Sequence, residues 1–230
     1  MNFWIRLFSL LLVPSFCFAT PVTYVYFGQK WADHFHEEYT EEDRAAFMMG
    51  VVFPDIRYLN IKMPREPNAS DITKSLVLDE ENPFEQGRLF HYFFLNFRDS
   101  VVEELSLFDK LTNAPEDNRD LLLMLLEDHN YFDEIDRNGV KSYFQNVIED
   151  EEYTGVPYHT LRTWHRIVTQ YYGMSAFAIV RRLRQFDFGM FGASKETVAE
   201  WAREFPALLE SDAFQVYVAD LEAGFEQFLD

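Results

Sequence analysis

Apolar side chains recur at three- and four-residue spacing along almost the whole chain, the period of an α-helix with one buried face. The spacing predicts short helices over 29–38 and 41–53. Thr40 heads the second of these, with Glu41, Glu42 and Asp43 in its first turn, where a helix N-terminus favours acids. Residues 60–82, punctuated by Pro64 and Pro67, read as a long loop. Asn82-Pro83 opens a helix that runs to about Leu111 and is apolar on several faces, which makes it central. Asn113 to Pro115 breaks the chain. A second long helix follows to about Arg137, with Leu122, Leu125, His129 and Phe132 on its core stripe. Asn138-Gly139 reads as its stop, and 140–150 as a short helix ending in the acidic run Glu149–Glu152. After Gly155-Val-Pro157, the positions of Leu161, Trp164, Ile167, Tyr171, Ala178 and Leu183 mark a long helix over about 158–186. Asp187-Phe-Gly189 is a loop, Ser194 caps a helix to about 205, and Pro206 interrupts. Residues 211–229 make the last helix, with Phe214, Val218, Leu221, Phe225 and Phe228 on one face. Val22–Tyr26 alternates and could make a strand, but one strand makes no sheet. The expected fold class is all-α, a single multi-helix bundle-like domain over 20–230.

Composition narrows the setting. Residues 1–19 read as a signal peptide: Arg6, an apolar run from Leu7 to Val13 extended by Phe16 to Phe18, and a small-x-small site at Cys17-Phe-Ala19. The expectation is an exported chain, periplasmic or secreted, that begins at Thr20 and has no transmembrane segment after cleavage. Cys17 is the only cysteine and falls in the expected signal peptide, so disulfides, cysteine nucleophiles and Cys-rich zinc sites are excluded from the mature chain. The aromatic fraction of 17% promises a substantial core. The net charge of −19 argues against nucleic acid as a partner, because that binding depends on clustered Lys and Arg. There is no Gly-rich phosphate loop, no serine-nucleophile elbow and no zincin helix motif. Arg181-Arg-Leu-Arg184, the one basic cluster, reads as a solvated helix end.

The most specific stretch is Gly50-Val-Val-Phe-Pro-Asp-Ile-Arg-Tyr-Leu59, where an apolar helix stops and delivers an acid. Pro54 is expected to push Phe53 out of the helical region and end the run. Asp55, between Phe53 and Ile56, then falls at the rim of the core, where a carboxylate must be paired, hydrogen-bonded or coordinated. Gly-x-x-x-Pro-Asp-Ile after a small-residue helix resembles the first acidic metal-ligand segment of the zinc-dependent phospholipase C family. Phe53 to Leu59 in particular resembles an uncharacterised exported bacterial branch of it. The resemblance covers residues 45–59 closely and 83–135 diffusely. It implies a helical bundle in which His and Asp side chains hold metal that activates water against a phosphodiester.

Further polar residues interrupt apolar stripes at His91, within Leu89-Phe-His-Tyr-Phe-Phe94, and at Asp128-His129. Two consecutive long helices joined by a short turn tend to be antiparallel neighbours, which would bring His91 and Asp128-His129 to one level. Asp55 would arrive from a third element. Asp55, His91, Asp128 and His129 thus form a candidate metal cluster, with zinc the expected ion. Asp55 and Glu127 are the candidate catalytic residues, with Glu127 a base or an alternative ligand. Arg57 or Arg88 would steady a phosphate oxygen of a phosphodiester or phospholipid substrate. His34 and His36 would point about 200° apart on a helix and cannot share a site.

The chain also departs from the family pattern. Tyr24-Val-Tyr-Phe27 stands where a histidine near the mature N-terminus belongs, residues 59–90 contain none, and His91 is followed four positions on by Leu95 rather than an acid. These departures support an alternative: a non-enzymatic exported helical protein that binds a partner or ligand, with Asp55–Arg57 a structural pair.

Overall fold

A computed structural model describes residues 21–59, 69–111, 116–174 and 194–230. The described chain is all-α: eleven α-helices, two 3-10 turns and no strand, packed as one domain. The helices are α1 (Pro21–Phe35), α2 (Glu41–Val52), α3 (Lys74–Leu78), α4 (Pro83–Glu104), α5 (Leu107–Leu111), α6 (Glu116–Tyr131), α7 (Arg137–Tyr143), α8 (Glu149–Tyr153), α9 (Tyr158–Tyr172), α10 (Lys195–Leu209) and α11 (Asp212–Leu229). None of them is long and apolar enough to cross a membrane. The signal-peptide segment, the loop 60–68 and the Arg181–Arg184 cluster lie outside the described residues.

Local chemistry explains the helix starts. Thr40 and Asp43 form a reciprocal capping box at α2, with Asp43 N donating to Thr40 Oγ1 (3.1 Å) and Thr40 N donating to Asp43 Oδ2 (3.1 Å). Asn82 caps α4 by accepting from Glu85 N, and Ser194 and Ser211 do the same for α10 and α11. Rings from three helices fill the centre. Phe27 and Trp31 of α1, Phe90, Phe93 and Phe94 of α4, and Phe225 of α11 meet at centroid distances between 4.6 and 6.4 Å. Each buried ring of this kind contributes roughly 1.5–3 kcal/mol.

One crossing fixes the rest. Gly50 of α2 and Gly87 of α4 face each other with backbone against backbone. A Cβ on Gly50 would lie 2.0 Å from Phe84 O, and one on Gly87 would lie 2.1 Å from Phe47 O. Only hydrogen in place of Cβ permits that approach, which brings the end of α2 against the first turns of α4.

Several boundaries differ from the pattern. Val22–Tyr26 is the first turn of α1, not a strand: Val22, Thr23, Tyr24 and Val25 are all buried, so the helical stripe is hidden by burial on every side. The helix expected over 83–111 breaks at Ser106, which takes φ 47°, and resumes as α5. Asn138 and Gly139 lie inside α7 rather than stopping a helix, because Asp136 caps there by accepting from Asn138 N. The acidic run Glu149–Glu152 opens α8 instead of closing a helix, as its charges would favour. α10 runs through Pro206 to Leu209, because a proline in the last turn removes a single hydrogen bond. Lys74–Leu78 is helical within the expected loop 60–82. α9 ends at Tyr172, and the continuation expected beyond residue 174 lies outside the described residues.

Candidate functional site

Asp55 reaches its place by a change of helix type. Phe53 keeps right-handed helical backbone (φ −62°, ψ −40°), so Pro54 does not drive it to extended geometry; the chain tightens into the 3-10 turn Phe53–Tyr58 instead. That turn carries Asp55 inward to 3% exposure. Its Oδ1 stands 3.8 Å from the Arg57 guanidinium and 3.9 Å from Nε2 of His91. These distances are Coulombic rather than hydrogen-bonding.

His91 is held from two sides. Nδ1 is 2.9 Å from Val51 O, and a carbonyl can only accept, so Nδ1 carries a proton and Nε2 is turned toward Asp55. The Tyr24 ring of α1 stacks on the imidazole at 4.2 Å and 8°. The Gly50–Gly87 crossing makes this possible, because it sets the carbonyl of Val51 beside the α4 backbone one turn before His91.

Asp128 has a separate set of partners. It is 1% exposed and accepts from Thr23 N (3.0 Å), Thr23 Oγ1 (3.0 Å) and Tyr171 Oη (2.5 Å). The Thr23 N–H belongs to the first turn of α1, whose donors have no intrahelical acceptor, so Asp128 caps α1 from a different helix. Burial pushes its carboxyl up to about 7, against the pull of the Tyr171 and Thr23 donors. Burial first, and then the nearby Asp128 and Asp55, push the Tyr172 phenol up, which puts that side chain within the field of both acids.

Glu127, the expected base, is fully buried and bound to Arg98 Nε at 2.8 and 3.1 Å, with a further hydrogen bond from the Tyr217 hydroxyl. Burial raises its pKa, and Arg98 and Tyr217 oppose the rise. Arg98, 2% exposed, also reaches Asp120 (2.9 Å) and Asp99 (3.1 Å). The group ties α4, α6 and α11 together.

His129 is half-buried, its ring 5.5 Å from Phe205 of α10, and burial lowers its pKa. Arg88 NH1 binds both oxygens of Glu85 (2.9 and 2.8 Å), and its guanidinium lies over Phe53.

Of the residues singled out in the sequence, Asp55, Arg57 and His91 come together. Asp128 and His129 do not join them. α4 and α6 are not simple neighbours at this level, because α1 is interposed: Tyr24 lies on His91 while its neighbour Thr23 binds Asp128. Among the described residues no three His, Asp or Glu side chains converge closely enough to hold a metal ion. The four expected zinc ligands are one pair and two separate side chains, so this ligand set does not fit the ion, and no chemistry is derived through it.

The pattern did not reveal Thr23, Tyr24, Tyr171 or Tyr217. Thr23 and Tyr24 sat in a stretch whose helical period is masked, and tyrosine in an aromatic-rich core carries no polar signal. Arg98 did leave one, a charge on the apolar face of α4 seven positions after His91. Comparison with protein-family models, curated proteins and solved structures finds no match.

Proposed function

We propose that the protein is an exported, non-enzymatic helical binding protein. In this reading it is a degenerate relative of the zinc-dependent phospholipases C whose acidic and imidazole positions serve the fold. One observation carries this: the Asp128 carboxylate accepts from three protein donors, so the position that would ligate metal works as a helix cap. Glu127, bound by Arg98 and Tyr217, supports the same reading. Protein purified without a chelating tag is expected to contain no stoichiometric zinc. It is also expected to leave bis-p-nitrophenyl phosphate and phosphatidylcholine vesicles intact. Asp55→Ala is then a stability variant, costing about 1–3 kcal/mol in a urea melt. One equivalent of zinc that is lost in both Asp55→Ala and His91→Ala, with phosphodiester hydrolysis lost in parallel, overturns the proposal.

One observation favours the enzymatic alternative. A histidine whose Nδ1 is fixed on a backbone carbonyl and whose Nε2 faces a carboxylate is oriented as metal-ligating histidines are. The same metal measurement decides between the two readings.

A further inference from the structure

A cleft of about 320 Å3 opens where the α6–α7 turn meets the end of α9. Its walls carry Asp136, Arg137, Asn138 and Lys141 from one side and Tyr172 and Gly173 from the other. Arg137 and Lys141 are one helical turn apart, so they share a face of α7. In a chain with 20 basic and 39 acidic residues, two cations lining one cleft are uncommon.

Arg137 is set in place before any ligand arrives. Its guanidinium lies over the Phe132 ring at 4.9 Å, and NH1 donates to Met174 O at 3.0 Å. NH2 is 3.8 Å from Asp133, too far for a hydrogen bond, and that carboxylate is 81% exposed. A guanidinium fixed by a ring and a carbonyl keeps donors directed at a planar or tetrahedral oxyanion, with little ordering cost on binding.

We propose that this cleft binds a phosphate monoester group, held by Arg137 and Lys141 with the Asn138 amide as a further donor. Asp136 defines the class. Its Oδ1 already accepts from Asn138 N, and a carboxylate retains further acceptor capacity. An anion that still carries a proton donates to that carboxylate, whereas a fully deprotonated one is repelled. Monoesters and inorganic phosphate carry such a proton at and below about pH 6, the region of the second phosphate pKa. Phosphodiesters and sulfate do not. The −19 net charge does not forbid binding, because charges beyond about 10 Å are screened at ordinary ionic strength while the two cations act at contact. The proposal is independent of whether Asp55 and His91 serve catalysis.

Titration calorimetry on the full chain at about pH 5.5, below the second phosphate pKa, tests it, with inorganic phosphate, glycerol phosphate, glycerophosphocholine and sulfate as probes at matched ionic strength. Saturable one-site binding of phosphate or glycerol phosphate is expected, at least tenfold tighter than sulfate or the diester. Lys141 has no hydrogen bond or ion pair among the described residues, so Lys141→Glu leaves the fold intact and should weaken phosphate binding by tenfold or more. Lys110→Glu, at an exposed position of α5, should leave it unchanged. Tighter binding of glycerol phosphate than of phosphate identifies an esterified ligand, and the reverse order identifies free phosphate. No saturable binding overturns the proposal, as does equal affinity for sulfate or wild-type affinity in Lys141→Glu.

Discussion

Asp128 is a carboxyl that the fold surrounds with donors and at the same time strips of water. Desolvation is the larger effect, which is why its pKa rises to about 7 despite Thr23 and Tyr171. The consequence for stability has a definite sign. The folded chain holds this proton more tightly than the unfolded chain does, so between about pH 4 and pH 7 the folded state binds more protons. Stability contributed by the neutral form is present at the acidic end of that window and lost as pH rises through it, by an amount on the order of a few kcal/mol. Asp128→Asn keeps an acceptor for Thr23 and removes the titration. Urea melts from pH 4 to pH 8 should therefore show the wild type losing stability relative to Asp128→Asn as pH rises, with the difference levelling above 7. Parallel curves for the two proteins would contradict the assignment.

The Gly50–Gly87 crossing governs how α2 meets α4, and through it where Asp55 and His91 meet. Glycine to alanine in an exposed helix interior ordinarily gains close to 1 kcal/mol. Here the added carbon would sit about 2 Å from a backbone oxygen, which cannot swing aside as a side chain can. Gly87→Ala should reverse the usual sign and destabilise by about 3 kcal/mol in a denaturant melt. It should also shift the His91 ring resonances, because the Val51 carbonyl moves away. Unchanged or increased stability would mean that the two helices do not touch there. Helix existence was legible in the sequence because three- and four-residue periodicity survives wherever one face is wet, as in α9 and α11. It was not legible in the first turns of α1, which are buried all round, although the second half of that helix was. The partners of the polar residues were not legible either. Asp55 beside His91 follows from a helix pair that apolar patterning makes plausible, but Thr23 on Asp128 requires knowing that α1 lies between α4 and α6.

Charge belongs to the molecule as a whole. An excess of 19 negative charges on one chain repels itself, and the effect is strongest when few ions screen it. The Tm should rise as sodium chloride goes from about 0.01 to 0.15 M, where the screening length falls from about 30 to about 8 Å. A flat or falling Tm would mean that attractive pairs such as Lys30–Glu226 and Arg44–Asp33 outweigh the general repulsion. The all-α architecture was the most legible property of all, since it rests on the sum of many periodic segments and tolerates misplaced ends. The candidate metal centre was the least legible, since it rested on two helices being direct neighbours at the level of His91, where α1 lies between them.

The place of α1 between α4 and α6 also dictates an order of events. Thr23 binds a residue 105 positions later, and Lys30 one 196 positions later. A chain emerging from the ribosome therefore cannot complete its first helix's surroundings until nearly all of it has been made. The leading segment must wait as an exposed apolar stretch, and closure depends on distant contacts, which slows folding relative to bundles of sequential hairpins. Under the proposed export such delay would be an advantage: a structure that closes last at its beginning stays threadable longest.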